Sequence, residues 1–313
     1  MSICPITYLE TDEKYSPSGL KLLSRKIKSL NDLSYSREEL LHEAKTRAAK
    51  LSIQGVQPKL SAKFSVTSES FELLDSGGRF IIKPQNDLFP ELPENEDLTM
   101  RLAEVIKLQI PFHGLIYGKD SSLSYFIKRF DRTIKNKKLA VEDFAQLSGA
   151  SRETKYNSSM EKVVKIIDSF CSFPVVEKAK IFKLTVFNFL IGNEDMHLKN
   201  FSIIRQNGLV KLSPFYDLVS TTIALKNPLE EIALPIRGKK NKLNREDLVG
   251  YFGTEVLGLN EKVINQSLDL ILTSRKSWEI LISKSFLSSE MKNKYHSLLN
   301  ERIDRLFLNK TDL

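Results

Sequence analysis

The spacing of apolar and polar positions changes several times along the chain. Residues Arg37 to Lys50 predict a helix behind Ser36 as N-cap, with Glu39 three positions on, the reciprocal spacing of a capping box. From Leu60 to Pro84 the pattern becomes short strand-like runs, Leu60 to Thr67, Phe71 to Leu74 and Phe80 to Lys83, with the turn cluster Asp75-Ser76-Gly77-Gly78 between the last two. A helix is expected over Glu94 to Leu108, where Leu98, Leu102, Val105 and Ile106 share a face. Two further strands, His113 to Tyr117 and Ser124 to Phe130, flank the break Gly118-Lys119-Asp120-Ser121. Helices then dominate: Val141 to Leu147, Met160 to Phe170, Val175 to Leu190, and several between Arg245 and Leu308. One polar insert interrupts them between Ile191 and Leu218, with a two-stranded ribbon over Phe201 to Ile204 and Leu209 to Leu212. The expectation is an α+β, bilobal chain: a sheet-rich lobe over residues 1–131 and a helical lobe over 132–313.

Composition narrows the class. At 313 residues, with 41% hydrophobic and 27% charged residues, the chain can bury a sizeable core and is neither a disordered, a collagen-like nor a coiled-coil sequence. Its net charge of +8 favours polyanionic partners such as nucleotide phosphates. No helix-turn-helix, aromatic RNA-binding motif or zinc module is legible, so direct specific DNA binding is not expected. Cys4 and Cys171 stand far apart without metal-ligand spacing, which fits a reducing compartment. Neither a signal peptide nor an uninterrupted membrane-length apolar run appears, so a cytoplasmic location without membrane contact is expected.

The polar insert carries the chemistry. In Gly192-Asn193-Glu194-Asp195-Met196-His197-Leu198-Lys199-Asn200, five residues separate Asp195 from Asn200. Protein kinases use an Asp and an Asn at that separation, one for the acceptor hydroxyl and the other for a metal ion. Asp217, seventeen residues further on, can supply the second carboxylate to Mg²⁺, which prefers hard oxygen ligands. No Cys or Ser nucleophile pairs with His197, which argues against a hydrolase triad. In the first lobe Phe80-Ile81-Ile82-Lys83 reads as a strand ending in a lysine able to neutralise ATP phosphates. Glu96 is placed to orient Lys83, with Glu94 and Glu104 as rivals. The loop Ser52-Ile53-Gln54-Gly55-Val56-Gln57-Pro58-Lys59 offers backbone amides and Lys59 for phosphates, although it holds only one glycine.

These residues resemble the HipA-like serine/threonine kinases, toxins of bacterial toxin–antitoxin systems. The resemblance rests on the Ser52 to Lys59 loop, Phe80 to Pro84, Pro93-Glu94-Asn95-Glu96, Tyr125 to Arg132, Glu142-Asp143-Phe144, Gly192 to Ser202 and Pro214 to Leu218, in that order. The most specific of them is Gly-Asn-x-Asp-x-His-x-Lys-Asn-x-Ser. Only about fifty residues precede the phosphate loop, so the chain looks most like HipT, the short kinase of three-component systems that also contain HipS and the DNA-binding HipB.

The resemblance implies a bilobal protein-kinase-like fold with ATP and Mg²⁺ as cofactors. It makes Asp195 the general base, Asn200 and Asp217 the metal ligands, Lys83 the phosphate-contacting lysine and Glu96 its orienting partner. Gln54, Gly55, Val56, Gln57 and Lys59 would line the phosphates, and Lys128, Arg129 and Phe130 the adenine through backbone groups. His197, Lys199 and Tyr216 would lie close to the nucleotide. Ser52 would be the autophosphorylated serine. The implied partners are a HipB-like DNA-binding antitoxin and a HipS-like small protein, and the implied substrate an aminoacyl-tRNA synthetase. A nucleotide-binding pseudokinase and an AMP-transferring enzyme of the same fold are the competing readings.

Overall fold

The computed structural model describes residues 2–51, 57–133, 135–151 and 154–307. The first elements are β1 (Ser2–Ile3), β2 (Glu10–Thr11), α1 (Pro17–Leu23) and α2 (Arg37–Leu51). At the start of α2 the capping box forms: the Ser36 N–H donates to Glu39 Oε2 at 2.8 Å and the Glu39 N–H to Ser36 Oγ at 3.3 Å. Then follow β3 (Leu60–Ser65), β4 (Ser70–Leu74), β5 (Phe80–Lys83), α3 (Leu92–Val105), β6 (His113–Tyr117) and β7 (Leu123–Lys128). α3 starts two residues before the expected Glu94, with Pro93 in its first turn, where a missing N–H has no intrahelical partner to lose.

The strands β3 to β7 make one antiparallel sheet in the order β4-β3-β5-β7-β6. Phe71, Phe80 and Phe126 pack on one another with ring centroids 5.1–6.2 Å apart, so aromatic side chains from β4, β5 and β7 build its centre. The turn into β5 needs its glycine: a Cβ on Gly78 would lie 2.3 Å from the Ala62 carbonyl oxygen of β3.

The segment Val141 to Leu147, expected as a helix, divides in two. Ala140–Asp143 is a strand, β8, and Phe144–Leu147 a single helical turn, α4, capped by Asp143 Oδ1 accepting from the Gln146 N–H at 2.8 Å. A run this short fits either period, and pairing with a neighbouring strand decides between them. After α5 (Met160–Phe170) and α6 (Pro174–Ile191) come β9 (Ser202–Gln206) and β10 (Leu209–Leu212), giving a second antiparallel sheet in the order β10-β9-β8. The remaining elements are α7 (Thr221–Ala224), a π-helical stretch Glu246–Val256, α8 (Glu261–Thr273), α9 (Arg275–Lys284) and α10 (Ser289–Phe307).

The chain forms two compact units. One comprises residues up to 98, 111–132 and 283–288; the other comprises 99–110, 133–282 and the chain from 289 on. The core of the first contains Leu60, Phe71, Phe80, Ile82 and Phe126 together with Cys4, Ile6, Tyr15 and Leu20, so the segment before α2 is built into it. In the second, α6 is apolar around most of its circumference and buries Ile181, Phe182, Leu184, Phe187 and Leu190. Both cysteines are free and buried. Among the described residues no helix is long and apolar enough to cross a membrane.

Candidate functional site

In the first unit the side chains gather at the end of β5 and the start of α3. Lys83 and Glu96 are 1% and 2% exposed, and their Nζ and Oε1 lie 2.5 Å apart. Lys83 Nζ also stands 5.5 Å from the centroid of the Tyr125 ring on β7, and Gln57 Nε2 donates to Glu96 Oε2 at 3.5 Å. Of the rival acids, Glu94 is held by Gln85 Nε2 at 2.7 and 2.8 Å and Glu104 is exposed, so the partner of Lys83 is Glu96. A buried ammonium paired with a buried carboxylate is a fixed positive charge suited to phosphate oxygens. Lys59 lies exposed immediately before β3. Ser52, Gln54, Gly55 and Val56 fall outside the described residues.

The strand expected at the adenine is more committed than its sequence suggests. The Lys128 N–H donates to the Phe112 carbonyl and the Arg129 N–H to the Arg79 carbonyl, both at 2.8 Å. These two amides are therefore taken by the fold. The Arg129 guanidinium is also engaged, bidentate on Asp131 at 2.8 and 2.7 Å, and Phe130 follows it half-buried.

Burial pushes the Glu94 carboxyl up to about 7 against the opposing hydrogen bond from Gln85, and the charges of Glu91 and Asp97 act in the same upward direction. A raised carboxyl favours the folded state while protonated. That stability is fully present below its ordinary 4.5 and is lost as pH rises through about 7. Glu94→Gln is expected to remove this dependence and to raise the stability of the protein above neutral pH by on the order of 1–3 kcal/mol, checked by chemical denaturation across the pH range. Equal pH dependence in the two proteins would show that Glu94 does not titrate in this interval.

In the second unit the site begins at the C-terminus of α6. Gly192 caps that helix at φ 63°, and a Cβ there would lie 2.1 Å from Thr222 Oγ1. The Gly192 carbonyl accepts from Thr221 and Thr222 at 2.9 and 3.1 Å, and the Glu194 N–H donates to Thr221 Oγ1 at 2.8 Å. Asn193, fully buried, accepts the Asp195 N–H on its Oδ1 at 3.1 Å. Met196, Leu198 and Phe201 anchor the loop in the core while Asp195 stays half-exposed. The apolar positions of the insert thus hold the loop against the core, while the polar Asn193, His197 and Asn200 are buried with them.

The Asp195 to Asn200 spacing closes as a hydrogen-bonded turn. Asn200 Nδ2 donates to the Asp195 carbonyl at 3.1 Å, which fixes the amide so that its Oδ1 is the atom left for a cation. Tyr216 Oη shares a hydrogen bond with Ser202 Oγ at 2.6 Å and lies 3.0 Å from the Lys199 carbonyl, tying the segment that carries Asp217 to the one that carries Asn200. Asp217 has φ 54°, a left-handed conformation that Asp tolerates better than most residues. Among the described residues no cluster of three His, Cys, Asp or Glu forms a closed metal site. One carboxylate and one amide oxygen fit Mg²⁺, which keeps water and phosphate oxygens in its remaining positions.

Two residues at this site escape a reading of the sequence. Tyr156 Oη donates to Asp195 Oδ1, and the Tyr156 ring stands edge-on to His197 with centroids 4.9 Å apart. The adjacent Lys155 Nζ lies 2.6 Å from His197 Nε2, and the Lys155 carbonyl accepts the Leu198 N–H at 3.3 Å. Burial lowers the His197 pKa, opposed by Asp195 and assisted by Lys155, which keeps the ring neutral and able to accept from the ammonium. Burial together with the charge and hydrogen bond of Asp195 raises the Tyr156 pKa, so the phenol remains a donor. Lys155 and Tyr156 lie some forty positions before Asp195, and no local motif marks them.

Comparison with known proteins gives a consistent picture. The family model described as the HipA-like C-terminal domain matches residues 51–278. A Haemophilus influenzae protein provisionally named as a kinase is 30% identical over 319 residues, covering 90% of each chain. The serine/threonine-protein kinase toxin HipA of Shewanella oneidensis is 30% identical over 191 residues, which is 55% of this chain and 43% of that one. A solved complex of Shewanella oneidensis HipA with HipB and operator DNA superposes with a TM-score of 0.68 at 22% identity, over 90% of this chain and 73% of that one. The fold is kinase-like, of mixed α and β structure.

Proposed function

Since the chain belongs to the HipA-like C-terminal domain family, we propose that it is an ATP-dependent serine/threonine protein kinase that acts as the toxin of a bacterial toxin–antitoxin system. The observation that carries this reading is the catalytic-type loop, in which the Asn200 amide N–H binds the Asp195 carbonyl at 3.1 Å and so fixes the side-chain amide beside the half-exposed Asp195 carboxylate. Bound ATP and Mg²⁺ supply the phosphoryl group and the charge that balances it. Asp195 orients the acceptor hydroxyl and takes its proton, and Asn200 Oδ1 and the Asp217 carboxylate hold the cation. Lys83, fixed by Glu96, neutralises phosphate oxygens, assisted by Gln57, Lys59 and the loop from Gln54 to Val56. Lys128, Arg129 and Phe130 serve the adenine through the backbone groups that the sheet leaves over, and His197, Lys199 and Tyr216 line the nucleotide.

A HipB-like DNA-binding antitoxin is the proposed partner, supported by the HipA complex that this fold resembles. The HipT-type assignment, the HipS-like protein, the aminoacyl-tRNA synthetase substrate and the cytoplasmic location rest on the sequence resemblance. Ser52 is the proposed site of autophosphorylation. Its phosphate would add about −1.5 to −2 charge to a loop that must approach ATP phosphates, and repulsion would expel the loop and inactivate the enzyme.

Intact-mass measurement of wild type, Ser52→Ala and Asp195→Ala after incubation with ATP and Mg²⁺ tests this proposal. One phosphate on the wild type and none on either variant is the expected result. A phosphate that survives Ser52→Ala moves the modified residue elsewhere. Phosphorylated protein that binds ATP and turns over as well as unmodified protein would overturn the inhibitory role.

A further inference from the structure

Building on the kinase reading, we infer that Tyr156 is a positioning residue that fixes the rotamer of Asp195, holding Oδ1 so that Oδ2 is the oxygen presented to the acceptor hydroxyl. The geometry is specific. Tyr156 Oη donates to Oδ1, and among the described residues Oδ2 accepts no hydrogen bond. A half-exposed aspartate on a loop would otherwise sample several rotamers, and an acceptor hydroxyl aligned by only a fraction of them would react correspondingly slowly.

The tyrosine is itself fixed. Its ring meets His197 edge-on, and the preceding Lys155 is bound to the same loop twice, through Nζ to His197 Nε2 at 2.6 Å and through its carbonyl to the Leu198 N–H at 3.3 Å. His197 is 6% exposed, so the ring on which both residues rest is a buried support. These contacts make the dipeptide a brace on the catalytic loop. A competing view, that the phenol blocks the acceptor position and must leave, fits less well with a tyrosine anchored through its neighbour and its ring.

The test compares wild type, Tyr156→Phe and a protein with 4-aminophenylalanine at position 156, which keeps the ring and restores an N–H donor. Phosphoryl transfer from ATP with Mg²⁺ is followed on the full chain itself and on dephosphorylated casein, with ATP binding measured separately. Tyr156→Phe is expected to lower kcat about 10- to 100-fold, with ATP affinity and KM for casein within about twofold of wild type. The amino analogue is expected to recover most of that loss. An unchanged or increased kcat in Tyr156→Phe would overturn the inference, the increase identifying the hydroxyl as an obstacle to the acceptor. Equal losses in both variants would also overturn it, since the donor would then not matter. Wild type that binds ATP and transfers nothing would overturn the kinase reading, and the positioning role with it.

Discussion

Asp195→Asn is expected to lower phosphoryl transfer by roughly 10²- to 10⁴-fold while leaving ATP binding intact. The substitution keeps the shape of the side chain. The backbone carbonyl of residue 195, which takes the Asn200 amide, is untouched, as is the N–H bonded to Asn193 Oδ1. Tyr156 can still donate to an amide oxygen at Oδ1. What disappears is the oxygen that accepts a proton, so the loss should fall in kcat, and calorimetric ATP titration should separate it from any loss of binding. Undiminished transfer would remove Asp195 from the reaction and leave the loop a structural element.

The second large effect lies in the first unit. Lys83→Met removes the cation from a pair whose side chains are 2% and 3% exposed, and leaves the Glu96 carboxylate buried without that ammonium. Breaking a buried ion pair from one side costs roughly 3–5 kcal/mol, mostly the penalty of the uncompensated charge. Adding Glu96→Gln to Lys83→Met removes that charge. The double variant is therefore expected to recover most of the stability in a denaturant titration and none of the phosphoryl transfer. Transfer restored by the double variant would contradict a role for Lys83 at the phosphates. A single variant as stable as wild type would show that the pair contributes little to the fold.

The sequence makes some of these features legible and hides others, for physical reasons. Ser36 with Glu39, and Asp195 with Asn200, act within a turn or two of themselves, so their spacing alone carries the geometry. The apolar run ending in Lys83 likewise announces a buried strand. Ala140 to Asp143 misleads because four residues fit either period, and only the pairing of β8 with β9 makes them a strand. The elements before α2 are strands of two residues and a helix of seven, too short to leave a periodic trace, yet Ile6 and Leu20 belong to the core. Lys128 and Arg129 look like free backbone until the carbonyls of Phe112 and Arg79 are seen to occupy their N–H groups. Tyr156 and Lys155 reach Asp195 and His197 across about forty residues of chain, and a contact of that range has no local signature.

The most direct test of the kinase reading follows the label from ATP carrying it at the γ-phosphate or at the α-phosphate, in the presence of Mg²⁺, for wild type and Asp195→Asn. The prediction is γ-label on protein with wild type only, and α-label on neither. Protein-bound α-label would make the chain an AMP-transferring enzyme, and no label on wild type that demonstrably binds ATP would make it a nucleotide-binding protein without transfer; either result contradicts a phosphoryl-transferring kinase.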